Sequence, residues 1–281
     1  MNAVSESLRR TGTMRGRRDM IRRMAHSLRT WLVGVVLFGF TAVAPAETVR
    51  VGAAVSLKET FAEIATAYKA DSGDTVEFVY GSSGQVATQI KSGADLDVFV
   101  SAAEKQMDDL AQGGQLDVAT RRVVCGNTLV LIVPAGSAFK PGSPDELKID
   151  AFERIAVGEP KTVPAGQYAA EALKTLKLDE AMKDKLVFGT NVRQVLAYVE
   201  RGEVKAGVVY GTDAKAAGAK VTLAFTFDEK THAPIVYPAA VVSPSKHAAA
   251  AKKFLDYLAG DKAKAVLTAH GFTLPQPAAK P

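Results

Sequence analysis

From Thr48 onward, short runs of β-branched and apolar residues alternate with stretches where apolar side chains recur every three or four positions. The runs predict strands over Thr48–Val55, Thr75–Tyr80, Leu96–Ser101, Val123–Val133, Arg154–Gly158, Leu186–Gly189, Ala206–Tyr210, Val221–Phe227 and Pro234–Val242. Between them, Leu57, Phe61, Ile64, Ala65 and Tyr68 form one helical stripe. Ala169, Ala172, Leu173 and Leu176 form a second, and Val192, Val195, Leu196 and Val199 a third. A last helical block covers residues 246–270. Each stripe reads as the core-facing side of a helix. Strands alternating with helices predict an α/β architecture with mostly parallel sheets.

One predicted strand is unusually long. "VVCGNTLVLIVP" is followed closely by Pro141, Gly142 and Pro144, and such a strand can leave one lobe and enter another. The late segment "VTLAFTFDEKTHAPIVYPAAVV" can carry the chain back. Two crossings predict two lobes with a cleft between them: residues 47–127 plus 228–281 form the first, and 128–227 the second. No internal repeat or low-complexity linker interrupts this pattern.

The 281 residues carry 35 basic and 30 acidic side chains, and the formal charge of +5 hints at a nucleic-acid partner. That excess lies at one end. Eight arginines, with only Glu6 and Asp19 against them, precede Glu47, which leaves 27 basic and 28 acidic residues in the body. A near-neutral body gives nucleic-acid binding no support. The basic start runs into an apolar stretch from Trp31 to Val43, closed by Ala44-Pro45-Ala46. These are the parts of a secretory signal peptide over residues 1–46, and they predict an exported, periplasmic chain. The stretch is short of the roughly 20 apolar residues of a membrane span, although an uncleaved anchor is the alternative. Cys125 stands alone, which rules out an internal disulfide and a cysteine-based metal cluster. No cysteine lies directly after the apolar run, so a lipid anchor finds no support.

In open α/β sheets, ligands sit beyond the carboxyl ends of strands, where helices begin. Five such junctions stand out: "VGAAVSLKE", "VYGSSGQVA", "GEPKTVPAGQYAAEAL", "FGTNVRQVL" and "GVVYGTDA". Ser56 reads as a helix cap, with Glu59 three residues on completing a capping box. Ser82 and Ser83 hold the same place at the second junction, and Gly81 and Gly84 allow close backbone approach. The third offers backbone N–H groups behind Pro164, the fourth has Asn191 as cap with free N–H groups at Val192 and Arg193, and Tyr210 adds a phenol. Nearly all are neutral donors, and helix N-termini suit small anions. A site of donors alone favours a fully deprotonated tetrahedral oxyanion, because a retained proton needs an acceptor. A serine at such a junction is also an ordinary cap, so these residues alone leave capping and anion holding open.

Other chemistry fits less well. A serine hydrolase wants G-x-S-x-G, and "GSSG" is one residue short. After the leader the histidines are His232, His247 and His270, without a motif around them; His270 reads as a cation at a helix C-terminus. Asp95 and Asp97 alternate before an apolar strand and read as exposed residues, not metal ligands.

Several segments occur together in order: "VGAAVSLKETFAEIATAYKADSG", "YGSSGQVATQIKSGADLDVFVSA", "VGEPKTVPAGQYAAEALKTL", "NVRQVLAYVERGEVKAGVVYGTDA" and "YPAAVV". In these the chain resembles the periplasmic molybdate-binding proteins of ABC transporters, over nearly all of residues 48–273. The resemblance implies a two-lobed type II periplasmic-binding fold, each lobe a mixed, mostly parallel sheet flanked by helices. It implies a single molybdate or tungstate dianion in the interlobe cleft, no cofactor, no enzymatic activity, a monomeric chain and an inner-membrane permease as partner. At matching positions Ser56 and Ser83 donate from one lobe. The N–H groups of Ala165 and Val192 and the Tyr210 hydroxyl donate from the other. The family's "SSS"-type junction is "SSG" here, which makes Ser82 the competitor of Ser83, the favoured contact. A sulfate- or other oxyanion-binding protein is the nearest alternative, and a secreted serine hydrolase acting through Ser82 or Ser83 a more distant one.

Overall fold

The computed structural model describes residues 46–149 and 152–275. The predicted leader up to Pro45 lies outside the described residues. Two five-stranded sheets carry the architecture. The first contains β1 (Thr48–Ala54), β2 (Thr75–Gly81), β3 (Val98–Val100), β4 (Leu116–Gly126) and β10 (Val236–Val242). The second contains β5 (Leu129–Pro134), β6 (Ile155–Gly158), β7 (Leu186–Gly189), β8 (Ala206–Tyr210) and β9 (Val221–Thr226).

Both sheets are mixed, and they follow one plan. The spatial orders are β2-β1-β3-β10-β4 and β7-β6-β8-β5-β9. In the first, β1 runs parallel to β2 and β3, while β10 is antiparallel to both β3 and β4. In the second, β6 runs parallel to β7 and β8, while β5 is antiparallel to both β8 and β9. The odd strand in each sheet, β5 or β10, is the one that has just arrived from the other sheet. It enters from the cleft side, so it runs against strands whose carboxyl ends point to the cleft.

Helices cover the sheets because their apolar stripes need burial. In α1 (Lys58–Ser72), Phe61, Ile64 and Tyr68 are buried. Tyr68 packs edge-on to Phe254 and Tyr257, with ring centroids 5.2 and 5.1 Å away, which ties α1 to α8 (Ala248–Leu258). The left-handed Gly73, φ 79°, closes α1 by donating to the Lys69 carbonyl. The remaining helices that frame the site are α2 (Ser83–Lys91), α3 (Glu104–Gln112), α4 (Pro164–Thr175), α6 (Val192–Glu200) and α7 (Gly211–Ala217). A short α5 (Asp179–Met182) and a last α9 (Asp261–His270) complete the set among the described residues.

Four expectations need correction. The long strand over Val123–Val133 is two strands, β4 and β5, broken at Asn127 and Thr128, where the chain passes between sheets. β4 also begins at Leu116, earlier than expected; it is the outer strand of its sheet, and its charged residues Asp117, Arg121 and Arg122 are half-buried. The block over residues 246–270 is the pair α8 and α9, separated at Gly260. Asp97, expected exposed, is 2% exposed. Its carboxylate accepts from the Arg50 N–H at 2.8 Å and the Ser245 hydroxyl at 2.6 Å, which satisfies it inside. Asp95 does face solvent.

Candidate functional site

All five junctions end at one place. Ser56, Ser82, Ser83, Ala165, Val192 and Tyr210 line a single small cavity between the two sheets. Each arrives at the carboxyl end of a parallel strand: Ser56 after β1, the serine pair after β2, Ala165 after β6, Val192 after β7, and Tyr210 as the last residue of β8. A sixth strand end, that of β3, contributes Ala102, which was not legible as a site residue. The other lining groups are apolar or backbone, and no acid, base or histidine borders this cavity.

The N-termini of α2, α4 and α6 converge on it. Ser83 and Val192 are first helical residues and Ala165 is a second, so helix geometry leaves no carbonyl behind their N–H groups. Asn191 caps α6 through Gln194 and leaves Val192 and its neighbour unused. Pro164, which has no N–H, opens α4. Three helix dipoles thus aim their positive ends at a space lined by neutral groups.

The hydroxyls divide their tasks. Ser82 is the true cap of α2: its Oγ accepts from the Gln85 N–H at 3.2 Å, and Gln85 Oε1 accepts from the Ser82 N–H at 2.9 Å. Ser83 Oγ is fully buried and accepts from the Ala102 N–H at 2.9 Å, which leaves its hydrogen free. Ser56 does not cap a helix. Val55–Leu57 forms a single 3-10 turn, α1 starts after it, and Ser56 Oγ instead lies 3.0 Å from the Tyr237 hydroxyl. Glu59, expected to complete a capping box with Ser56, pairs with Arg193 at 2.6 Å. The Tyr210 hydroxyl is buried and has no hydrogen-bond partner among the described residues. Burial also pushes its pKa well up, so it stays a neutral donor.

The cleft is closed around this space. The Gly84 N–H in α2 donates to the Thr162 carbonyl of the other lobe at 3.0 Å. A Cβ on Gly84 would lie 2.5 Å from that oxygen, so only glycine permits the approach. On the far side of Tyr210, Asp213 is wholly buried and lies 2.8 Å from Arg193 Nε. Burial raises its carboxyl to about 6, against the lowering pull of Arg193 and the Tyr210 N–H.

Residues 49–273 match a family profile described as bacterial extracellular solute-binding protein. The chain belongs to that family. Among its relatives, the molybdate-binding protein ModA of Haemophilus influenzae is 42% identical, over 84% of this chain and 93% of its own. ModA of Escherichia coli is 40% identical, over 83% and 91% respectively. Among solved structures, the periplasmic molybdate-binding protein of Azotobacter vinelandii superposes with a TM-score of 0.75 at 26% identity, over 81% of this chain and all of that one. The family's two-lobed plan agrees with the paired sheets described above. Sequence reasoning passed over Asn127, Thr212, Asp213 and Tyr237, which back the site from behind. The Gly126-Asn127 pair inside an apolar run was a break signal, but nothing local marked its partners.

Proposed function

We propose that this chain captures molybdate, or its near-isostere tungstate, in the interlobe cavity and delivers it to an ABC permease in the inner membrane. The cavity's polar lining, donors without an acid or base, is the observation that carries this reading. Ser56 and Ser83 donate from one lobe; the Ala165 and Val192 N–H groups and the Tyr210 hydroxyl donate from the other. Ser83 offers both an N–H and a hydroxyl, whereas the Ser82 N–H is held by Gln85, which supports Ser83 over Ser82. Charge on the anion is met by helix dipoles and hydrogen bonds to a desolvated oxyanion, each worth about 1.5–3 kcal/mol. The relatives named for molybdate binding support the choice of anion.

The chain acts without covalent chemistry. A nucleophilic serine needs a base within reach, and no histidine or carboxylate borders Ser82 or Ser83 in the cavity. Export through the basic leader places the protein in the periplasm as a soluble monomer. Calorimetry with molybdate, tungstate, sulfate and phosphate on the mature chain tests the assignment. Tight binding of the first two is expected; preference for sulfate overturns the substrate while leaving the fold intact.

A further inference from the structure

The two crossings between sheets run side by side, and Asn127 lies in the first. Its N–H donates to the Ile235 carbonyl in the second at 3.2 Å. The Asn127 side chain is oriented by its neighbour: the Thr128 N–H donates to Oδ1 at 2.9 Å, so Nδ2 carries both amide hydrogens. Those hydrogens go to opposite lobes. One reaches Thr212 Oγ1 at 2.9 Å, two residues beyond Tyr210; the other reaches the Tyr237 hydroxyl oxygen at 3.2 Å.

A phenol has a single hydrogen. Having accepted from Asn127, Tyr237 gives its own to its remaining partner, Ser56 Oγ at 3.0 Å. Tyr237 is fully buried, so water does not compete. Ser56 therefore accepts from Tyr237 and keeps its one hydrogen for an oxygen in the cavity. Granted the oxyanion site proposed above, on which this rests, we infer that Asn127 and Tyr237 are positioning residues that fix the direction of this chain and hold Ser56 as a donor. Neither residue lines the cavity. Run the other way, the same chain would present a Ser56 lone pair to the anion. The polarity of the relay is set at the interlobe crossing, next to the bond that Asn127 makes to the second lobe.

Calorimetry with sodium molybdate at pH 8 tests this on the intact mature chain, with cooperative unfolding checked for every variant. Asn127→Asp puts an acceptor where Nδ2 stands, so Tyr237 donates to it and draws the Ser56 hydrogen away. Affinity is expected to fall about a hundredfold. Adding Tyr237→Phe removes the group that draws it, and N127D/Y237F is expected to regain about tenfold over N127D alone. A new negative charge acting by itself would persist in the double variant and give no regain. Should N127D fail to fold, a second cycle decides. Tyr237→Phe is expected to cost about tenfold in the native background and nothing in a Ser56→Ala background, because it acts only through that hydroxyl. Absence of the regain, or additive losses in S56A and Y237F, overturns the relay. A native chain that binds none of the four oxyanions overturns the proposed function as well, which separates the two failures.

Discussion

Tyr210 shows how one side chain can oppose stability and binding. Its buried hydroxyl lacks a partner among the described residues, and a buried unsatisfied donor costs about 1–3 kcal/mol. Tyr210→Phe will therefore weaken molybdate binding by about 1–3 kcal/mol in calorimetry, yet the ligand-free melting temperature will not fall. Ser83→Ala will cost a similar amount of affinity. It will also lower the melting temperature, because the Ala102 N–H loses its acceptor. Asp213 gives a pH signature. Its folded carboxyl titrates near 6 against an ordinary value of 3.8, so between these pH values the folded chain holds a proton that the unfolded chain has lost. Stability from this group is then present at low pH and declines as pH rises from about 4 to 6, by about 2–3 kcal/mol. Urea unfolding across that range will show the decline, and Asp213→Asn will flatten it. Asp71 and Asp74, lowered by Lys262 and Lys253, act in the opposite sense below that window.

Helix starts decide the site at the next scale. They were legible because their signals are local: serine, asparagine, proline and glycine at strand ends declare a cap within a few residues. Thus α2, α4 and α6 could be placed with their N–H groups facing one way. Ser56 was misread because a 3-10 turn delays the start of α1, and no residue type announces that delay. The Asn127 relay was invisible for another reason: its partners Thr212 and Tyr237 are 85 and 110 positions away, beyond any periodicity. Gly84 tests the approach of α2 to the other lobe. In Gly84→Ala the new methyl meets backbone atoms of Thr162 at 2.5 and 2.8 Å, which no side-chain rotation relieves. The lobes must part, and molybdate affinity measured by calorimetry will fall by about tenfold or more.

Across the whole molecule, the lobes also meet through an ion pair, Arg193 to Glu59 at 2.6 Å. Glu59 is about half exposed, and such pairs contribute about 0–1 kcal/mol. Glu59→Gln will accordingly shift molybdate affinity less than about fivefold. The α/β class was readable from alternation and the two-lobe plan from the two long crossing segments; the position of each returning strand was not, because sheet order is a tertiary outcome. That order sets a sequence in time. β10 sits between β3 and β4, and the Gly126 N–H donates to the Thr273 carbonyl at 2.7 Å. The first sheet therefore cannot close until β10 has emerged, whereas β5 to β9 are contiguous and can pair as soon as Thr226 is free. A chain that emerges N-terminus first will assemble its second lobe while the first still waits, half-built, for the strand that joins β3 to β4.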